Sequence, residues 1–393
     1  MRIAFTDEQE ELRKELRSYF AQLMTPEIVA QMATGDGEYG GGGLYKQLVR
    51  QMGIDGWLGI GWPTEYGGQN RSMLEQLIFT DEASLAGAPV PFLTINTVGP
   101  TIMNFGTDEQ KQEFLPKILA GQMHFSIGYS EPGAGTDLAS LTTRAVRDGD
   151  EYLINGQKMW TSLIQYADYV WLATRTDPDV SPHKGLSVFL VSTDSPGFSW
   201  TPVRTVSGTT TSATFYEDVR VPAANLVGGE NNGWKLITNQ LNHERVALCS
   251  AAGVQNLLRE VQAWAENTML PDGRRVIDQE WVQVHLARIH ARSEFLKLIN
   301  WKIAWGVKKG VGPQDASATK VFGTEFYTEA YRLMMEIFGQ EALIQAGSPG
   351  SLLRSRIERA YRGTLILTFG GGTNEVQRDI IAMVGLGMPR APR

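Results

Sequence analysis

The amino-acid sequence predicts an α+β multidomain protein with an N-terminal helical domain, a middle β-barrel or β-sandwich domain and a C-terminal four-helix bundle. At 393 residues, the chain is longer than one simple hydrophobic core usually supports. Apolar residues recur at helical spacing toward both ends, whereas the middle contains β-rich runs bounded by Pro, Gly and Asp. The predicted domains are therefore residues 1–122, 123–230 and 231–393.

The N-terminal domain is predicted to begin with a helix over residues 6–33. Thr6 is a suitable N-cap because Gln9 follows three residues later, and apolar residues then continue at helical spacing. Pro and Gly separate the segments that come after it. Further helices are predicted at 44–52, 72–87, 92–105 and 108–119.

The middle domain contains alternating or apolar runs typical of strands, at 167–176, 185–193 and 213–222. Two further strands are joined by a turn at Asp148-Gly149. After Gly233 the pattern becomes helical again, and residues 233–267 form one long amphipathic pattern. Other helices are predicted at 277–309, 314–338 and 349–363, and such a bundle often packs against copies of itself or a partner.

Composition limits the classes of function. The net charge of −7 argues against a general nucleic-acid binder. The single cysteine, Cys249, excludes an intrachain disulfide and fits a reducing compartment. The N-terminus is charged from its first turn, and no window is long and apolar enough to span a bilayer, so we expect no membrane association and a cytoplasmic protein.

One carboxylate interrupts an apolar helical stripe in the C-terminal domain. The stripe consists of Ile237, Leu241, Glu244, Leu248 and Ala251, spaced four or three residues apart. Burial of a carboxylate raises its pKa, which suits Glu244 to act as a general base near neutral pH. The alternative is a structural ion pair between Glu244 and Arg245, or an arginine of another helix.

Residues 125–162 combine a strand, a glycine-broken polar loop, two more strands and a segment with a tryptophan. The segment offers hydrogen-bonding groups at Tyr129, Ser130, Thr136 and Ser162 beside the large ring of Trp160. A flat cofactor with polar edges needs both features, namely hydrogen bonds to its edges and a wall that packs on its face.

This stretch closely resembles the flavin-binding segment of the acyl-CoA dehydrogenases, and the resemblance extends along essentially the whole chain to GGGTNEVQR at 370–378. It implies the acyl-CoA dehydrogenase fold, FAD as cofactor, and oxidation of an acyl-CoA thioester to a trans-2-enoyl-CoA, with an electron-transferring flavoprotein as the usual acceptor. It implies cofactor contacts at Tyr129, Ser130, Thr136, Trp160, Thr161, Ser162, Thr373, Asn374 and Glu375, substrate contacts at Thr136, Asn242, Arg245 and Gly372, and no metal ion. Alternatively, Thr136, Asn374 and Glu375 merely cap turns or helices.

The family places its catalytic base at one of two positions. The commoner is the glutamate of a Tyr-Glu-Gly-Thr motif, where this chain has Gly371 instead. The other is a glutamate that precedes an arginine on the helix after the β domain, and His243-Glu244-Arg245 matches it. The resemblance therefore implies that Glu244 removes the α-proton. It also implies that the backbone N–H of Gly371 and a ribityl hydroxyl of the flavin hold the enolate oxygen.

The glycines at 370–372 remove two side chains that normally narrow the acyl pocket, which favours a branched or ring-bearing acyl group unless another residue fills the space. The chain also resembles, more specifically, the actinobacterial acyl-CoA dehydrogenases of steroid side-chain degradation. The matching stretches include GWLGIGWPTEYGG (56–68) and ATKVFGTE (318–325). That branch acts on steroid-CoA thioesters, and its members form α2β2 heterotetramers in which one kind of subunit carries the base.

The chain departs from the family where one subunit contacts the flavin diphosphate of its neighbour. Met269 and Asp272 occupy the Arg and Phe positions of an Arg-x-x-Phe-Gly motif, and Glu336 begins what is usually Gln-x-Phe-Gly-Gly. A carboxylate facing a pyrophosphate is unfavourable. We therefore expect a homologous subunit to donate the missing arginine, although Arg274 or Arg275 would partly substitute in a homotetramer. Two other hypotheses are a non-catalytic structural subunit and an acyl-CoA oxidase on the same fold.

Overall fold

The computed structural model describes residues 3–33, 43–247, 249–306, 312–345 and 348–390, without the side chains of 242–247, 352 and 354. Over these ranges, twelve α-helices and eight β-strands follow one another as helices, strands and helices, which confirms the predicted fold class. Among the described helices, none combines the length and the apolar character that crossing a membrane requires.

In the described part of the N-terminal domain there are six helices: α1 (Asp7–Leu23), α2 (Pro26–Ala33), α3 (Leu44–Ile54), α4 (Met73–Ala86), α5 (Gly99–Phe105) and α6 (Asp108–Leu119). The predicted capping box is present, because the Thr6 side chain accepts from the backbone of Gln9 and the Gln9 side chain accepts from the backbone of Thr6. The single helix predicted at 6–33 is wrong, since Pro26 disfavours helical geometry at Thr25 and separates α1 from α2. The predicted helix at 92–105 begins as a π-helical turn, Thr94–Val98.

The middle domain contains β1 (Phe125–Gly128), β2 (Arg144–Asp148), β3 (Glu151–Lys158), β4 (Tyr169–Arg175), β5 (Leu186–Ser192), β6 (Phe198–Arg204), β7 (Thr210–Pro222) and β8 (Leu226–Val227). The strands form one path, β6-β7-β3-β2-β4-β5-β8, and β1 pairs with β4. Only Arg144 opposite Arg175 joins β2 to β4. Side chains from both halves of the path share one core, with β3 and β7 facing β4 and β5, as in a sandwich.

The C-terminal domain contains α7 (Gly233–Ala247), α8 (Ala252–Asn267), α9 (Glu280–Gly306), α10 (Pro313–Phe338), α11 (Arg356–Thr364) and α12 (Asn374–Ile380). The long pattern predicted at 233–267 is divided between α7 and α8. In the intervening segment, Asn300 donates to the carbonyl of Cys249 at 2.7 Å and Tyr327 donates to the carbonyl of Ser250. These side chains satisfy carbonyls that a continuous helix would pair with its own backbone.

Helix α10 lies at the centre of the C-terminal domain and packs against α7, α9, α11 and α12. Helix α7 also packs against β5, and the ring of Trp234 lies 4.6 Å from that of His183. The helix that carries position 244 therefore lies between the β domain and α10, which positions it for a site formed by both.

Candidate active site

The end of β1 is fixed against the segment that follows β3. The indole nitrogen of Trp171 donates to the Tyr129 hydroxyl at 2.9 Å, and Lys158 donates to the Tyr129 carbonyl at 3.0 Å. The backbone N–H of Met159 donates to the carbonyl of Ser130 at 2.8 Å. The structure thus brings Tyr129 and Ser130 next to residues 160–162, as the sequence predicts for one edge of a cofactor site.

Trp160 has a left-handed backbone with φ of +65°, and its side chain is 54% exposed. This conformation costs a non-glycine residue about 1–2 kcal/mol, and such outliers cluster at ligand sites. The next residue anchors it, because the N–H of Thr161 donates to the Ser212 carbonyl at 2.9 Å. The hydroxyls of Ser162 and Thr211 lie 3.3 Å apart. A large exposed ring is therefore held beside hydroxyl groups.

A buried ion pair lies next to this predicted cofactor edge. Lys158 donates to Glu131 at 2.9 Å, and the two side chains are 0% and 6% exposed. Burial alone would raise the pKa of Glu131, but the Lys158 charge and hydrogen bonds from Thr143, Lys158 and Thr142 hold that pKa at about 2. Burial lowers the pKa of Lys158 to about 8, although Glu131 opposes the change. The pair joins β3 to the polar loop after β1.

The predicted contact Thr136 lies at the exposed end of that polar loop. Residues 131–134 of the same loop border a cavity of about 290 Å³, which is also lined by Ser140, Thr142 and Gln157. The loop is therefore held at its base by Glu131 and open at its tip, an arrangement that leaves backbone groups accessible to a ligand.

The predicted glycine loop has an unusual backbone. Gly371 and Gly372 have φ of +68° and +94°, values that only glycine adopts without strain. Thr373 caps α12, since its hydroxyl accepts from the N–H of Val376 at 3.2 Å. Asn374 is 3% exposed and contacts α10, whereas Glu375 is exposed. The described contacts of Thr373 and Asn374 hold this loop in place.

Helix α7 includes positions 242, 244 and 245, whereas the side chains of Asn242, Glu244 and Arg245 lie outside the described residues. The apolar stripe before them has the predicted character, because Ile237 is buried and Leu241 is half-buried. Just beyond α7, Cys249 packs closely against α10. Its buried thiol has a pKa raised to about 12, against the influence of the nearby Lys320 charge.

A role for two buried lysines, Lys158 and Lys320, was not predicted from the sequence, although the residue pattern indicates that each is buried. Lys158 lies on β3 in alternation with the buried residues Tyr152 and Ile154, so it occupies an inward-facing position. Lys320 lies on α10 one turn from Ser317 and Thr324, within its buried face. A charged residue at an inward position indicates a buried polar contact, here with residues of the site.

The first segment that departs from the family pattern, around Met269 and Asp272, contains local ion pairs. Met269 is 62% exposed, and Asp272 accepts from Arg274 at 2.7 and 2.9 Å. Arg275 donates to Asp278 at 2.7 Å. These two arginines are therefore engaged within their own loop.

The second departure, Glu336, is likewise compensated within the chain. It accepts from Arg332 at 2.8 Å, and its other oxygen lies 2.8 Å from the ring nitrogen of His285. Its carboxylate therefore takes part in a local network rather than facing solvent alone.

A strained, exposed tryptophan in the β domain and a glycine loop in the C-terminal helical domain are features typical of an enzyme that binds a cofactor. The sequence matches the families described as Acyl-CoA dehydrogenase N-terminal domain over 6–122, middle domain over 126–219 and C-terminal domain over 231–386. The chain belongs to the acyl-CoA dehydrogenase family, and it is an oxidoreductase that acts on CH–CH groups.

The chain is similar along its whole length to a named acyl-CoA dehydrogenase and to chains of two solved structures. It is 66% identical to acyl-CoA dehydrogenase FadE26 of Mycobacterium tuberculosis over 100% of both chains. A chain of the ChsE4-ChsE5 complex from Mycobacterium tuberculosis is 64% identical, with a TM-score of 0.93 and 100% coverage of both chains. A chain of the Tcur3481-Tcur3483 steroid ACAD is 49% identical, with a TM-score of 0.91 and the same coverage.

The cofactor of this family is FAD, and the residues described above fit it. The exposed indole of Trp160 provides a flat packing surface, and Ser130 and Ser162 are half-buried polar groups next to it. Because an isoalloxazine ring is flat with polar edges, this combination matches its chemistry.

Proposed function

We propose that this chain catalyses α,β-dehydrogenation of a bulky acyl-CoA thioester to its trans-2-enoyl-CoA, with Glu244 as the base that removes the α-proton. The observation that carries the proposal is the backbone at Gly371, where φ is +68° and no side chain exists to act as base. The position that usually bears the catalytic carboxylate can contribute only its N–H and carbonyl. The proton must therefore go to another residue.

The packing of α10 supports Glu244 as that residue. Helix α10 contacts α7, which carries position 244, and its Lys320 donates to the carbonyl of Gly372 at 2.8 Å. Position 244 and the glycine loop are thus held by the same helix. If a thioester carbonyl accepts from the Gly371 N–H, hydrogen bonding to its oxygen makes the α-proton more acidic, and Glu244 would accept that proton.

The proposed cofactor contacts come from the β domain and from the C-terminal domain. Tyr129, Ser130, Trp160, Thr161 and Ser162 would hold the ring system, and Thr373, Asn374 and Glu375 would approach it from the C-terminal domain. When bound, FAD supplies the hydride acceptor for the β-hydrogen. Thr136, Asn242, Arg245 and Gly372 would contact the CoA chain and the thioester. Residues of two domains would then surround the substrate, which excludes water from the reacting atoms.

The glycine loop also supports the class of acyl group. Gly370, Gly371 and Gly372 carry no side chains beside the reacting carbons, and a branched or polycyclic group needs that space. The similarity to a steroid ACAD supports a steroid-CoA thioester as substrate.

We infer further that the active form contains a homologous subunit. Met269 replaces the arginine that would reach a neighbouring diphosphate, and Arg274 and Arg275 are paired with Asp272 and Asp278. A partner with the missing arginine would complete the site, in keeping with the similarity to the ChsE4-ChsE5 complex. An electron-transferring flavoprotein is the proposed acceptor of the electrons.

A second candidate, a non-catalytic subunit, is favoured by one observation, namely the absence of a carboxylate at Gly371. Both candidates are tested with the complex of this chain and its genomic neighbour. Straight-chain, branched and steroid-CoA thioesters are assayed with an artificial electron acceptor, and bound flavin is measured for the chain alone and for the complex.

We expect dehydrogenation of the bulky thioesters and full flavin loading only in the complex. A complex that oxidises only straight-chain thioesters would contradict the substrate class, and full loading of the lone chain would contradict the need for a partner. Peroxide formation under air would indicate an oxidase.

A further inference from the structure

Lys320 is a buried cation directly beneath the glycine loop. Its side chain is 0% exposed, and its ammonium donates to the Gly372 carbonyl at 2.8 Å and to the Asn374 side-chain oxygen at 2.7 Å. Burying an ammonium is unfavourable unless hydrogen bonds compensate for lost water. The sequence keeps a lysine here although its neighbours on this face of α10 are the small, uncharged residues Ser317, Gly323 and Thr324.

Two hydrogen bonds, one on each side of Gly371, act as clamps on the glycine loop, and Lys320 makes one of them. On the upstream side, the N–H of Gly370 donates to the Ile366 carbonyl at 2.7 Å. On the downstream side, Lys320 holds the Gly372 carbonyl. Between these clamps lie two consecutive residues with positive φ, and glycine has little intrinsic preference among its conformations. The clamps therefore select the direction of the Gly371 peptide.

The Asn374 side chain also links Lys320 to a second charged pair. The Asn374 amide places its oxygen on Lys320 and its nitrogen 3.2 Å from Glu325. Glu325 in turn accepts from Arg378 at 2.6 Å. The amide thus lies between the ammonium and this carboxylate, which is already paired with another cation.

We propose that Lys320 is a positioning residue for thioester activation, which rests on the proposed function. It fixes the Gly371 peptide so that its N–H meets the thioester oxygen. Its positive charge also stabilises the negative charge that develops on that oxygen as the α-proton leaves. Lys320 itself does not touch the substrate.

The test uses the flavin-loaded complex and acetoacetyl-CoA, a 3-oxo thioester that loses a proton from the carbon between its carbonyls to form an enolate, with the proton going to solvent. Ultraviolet absorbance of the bound enolate is followed against pH for the native enzyme, Lys320→Met and Lys320→Gln. We expect both substitutions to raise the midpoint by about one pH unit or more, equivalent to a tenfold weaker stabilisation of the enolate. We expect kcat for the acyl-CoA substrate to fall at least about tenfold.

Thr319→Val is the matched control. Thr319 is also fully buried on α10, but its hydroxyl donates to the Asp315 carbonyl of the same helix at 2.9 Å. We expect its enolate midpoint and kcat to equal those of the native enzyme. If Lys320→Met does not fold, Lys320→Gln decides, because it retains a donor and buries no charge.

A midpoint and kcat unchanged in Lys320→Gln would overturn the role of Lys320 while leaving the proposed function intact. Failure of the native complex to form any bound enolate and to oxidise any acyl-CoA would overturn the proposed function, and with it this inference.

Discussion

At the scale of single residues, the buried Glu131–Lys158 pair is a place where the removal of one partner is costly. Glu131→Gln would leave the Lys158 ammonium, which is 0% exposed, without its anion. We expect a loss of about 3–5 kcal/mol in the free energy of unfolding, because an uncompensated buried charge is costly. Urea unfolding measures this loss.

The control is Glu151→Gln, which removes a carboxylate paired with Arg220 where both side chains are about half exposed. Surface pairs of this kind contribute about 0–1 kcal/mol. Equal losses in the two variants would show that the buried pair is not a special source of stability.

The lowered pKa of Glu131 predicts how the free energy of unfolding depends on pH. The pKa of Glu131 is about 2 in the folded protein and near 4.5 in the unfolded chain. Its contribution is therefore fully present above about pH 4.5 and is lost as pH falls toward 2. We expect the native chain to lose up to about 3 kcal/mol more than Glu131→Gln between pH 6 and pH 2. Parallel stability curves for the two proteins would contradict this assignment.

Sequence patterns predicted the local features of these residues better than their contacts. The turn at Asp148-Gly149 and the capping box at Thr6 depend on neighbours within four residues, and both are present. The partners of Lys158 and Lys320 come from 27 to 54 residues away. Such partners depend on which strands and helices meet, which residue spacing alone does not specify.

At the scale of elements, the approach of α10 to the segment after α7 depends on Gly323. A Cβ atom at this position would lie 2.7 Å from Cys249 Sγ and 2.8 Å from its Cβ. We expect Gly323→Ala to separate the two segments, to cost about 1–3 kcal/mol as overpacking does, and to lower turnover by displacing α7. Thermal unfolding and steady-state kinetics measure these effects.

Gly363→Ala, on α11, is the matched control because a Cβ there meets nothing within 4 Å. Alanine stabilises a helix interior by up to about 1 kcal/mol relative to glycine. A Gly323→Ala variant that is as stable and active as Gly363→Ala would contradict the close-packing argument.

Helix boundaries show where sequence patterns fail at this scale. The helices predicted at 44–52, 72–87, 108–119 and 314–338 agree closely with α3, α4, α6 and α10. The predicted helix at 349–363 begins only at Arg356, after Gly350 with φ of +82° and a short 3-10 turn. The division between α7 and α8 lacks any Pro or Gly breaker, because it depends on side chains of α9 and α10.

At the scale of the whole molecule, α9 presents apolar side chains on two faces. One face packs into the core, whereas Trp281, Val284, Phe295, Leu298 and Trp305 are 42–82% exposed at spacings compatible with a second stripe. A helix that is apolar on both sides indicates burial against another chain. This stripe supports the proposed assembly with a homologous helical subunit.

We expect Trp305→Glu to weaken that assembly, because Trp305 is 82% exposed and a charge in an apolar contact loses its water. Co-purification with the genomic neighbour and sedimentation measure the assembly. Ile54→Glu, at a 67% exposed position at the end of α3, is the control and should leave it unchanged. Equal assembly of both variants would exclude this stripe as the interface.

The candidate site combines segments that are far apart in the sequence, which limits how much of it residue spacing can predict. Residues 129–130 and 160–162 approach one another through strand pairing, whereas the glycine loop comes from the end of the chain. Their common purpose was predicted from the resemblance to a family, since no periodicity joins segments more than 200 residues apart. Residue spacing alone predicts a carboxylate in an apolar stripe at Glu244, and the role of Glu244 as the base stays a prediction.

The most direct test of the central claim measures how fast an acyl-CoA substrate reduces the bound flavin of the Glu244→Gln variant without oxygen. The loss of the visible absorbance of the flavin reports the reduction. We expect reduction to slow by about 10²–10⁴-fold with flavin content unchanged, because the amide cannot accept the α-proton. Glu217→Gln, which alters an exposed carboxylate on β7, should reduce its flavin at the native rate. Reduction at the native rate in Glu244→Gln would contradict the account.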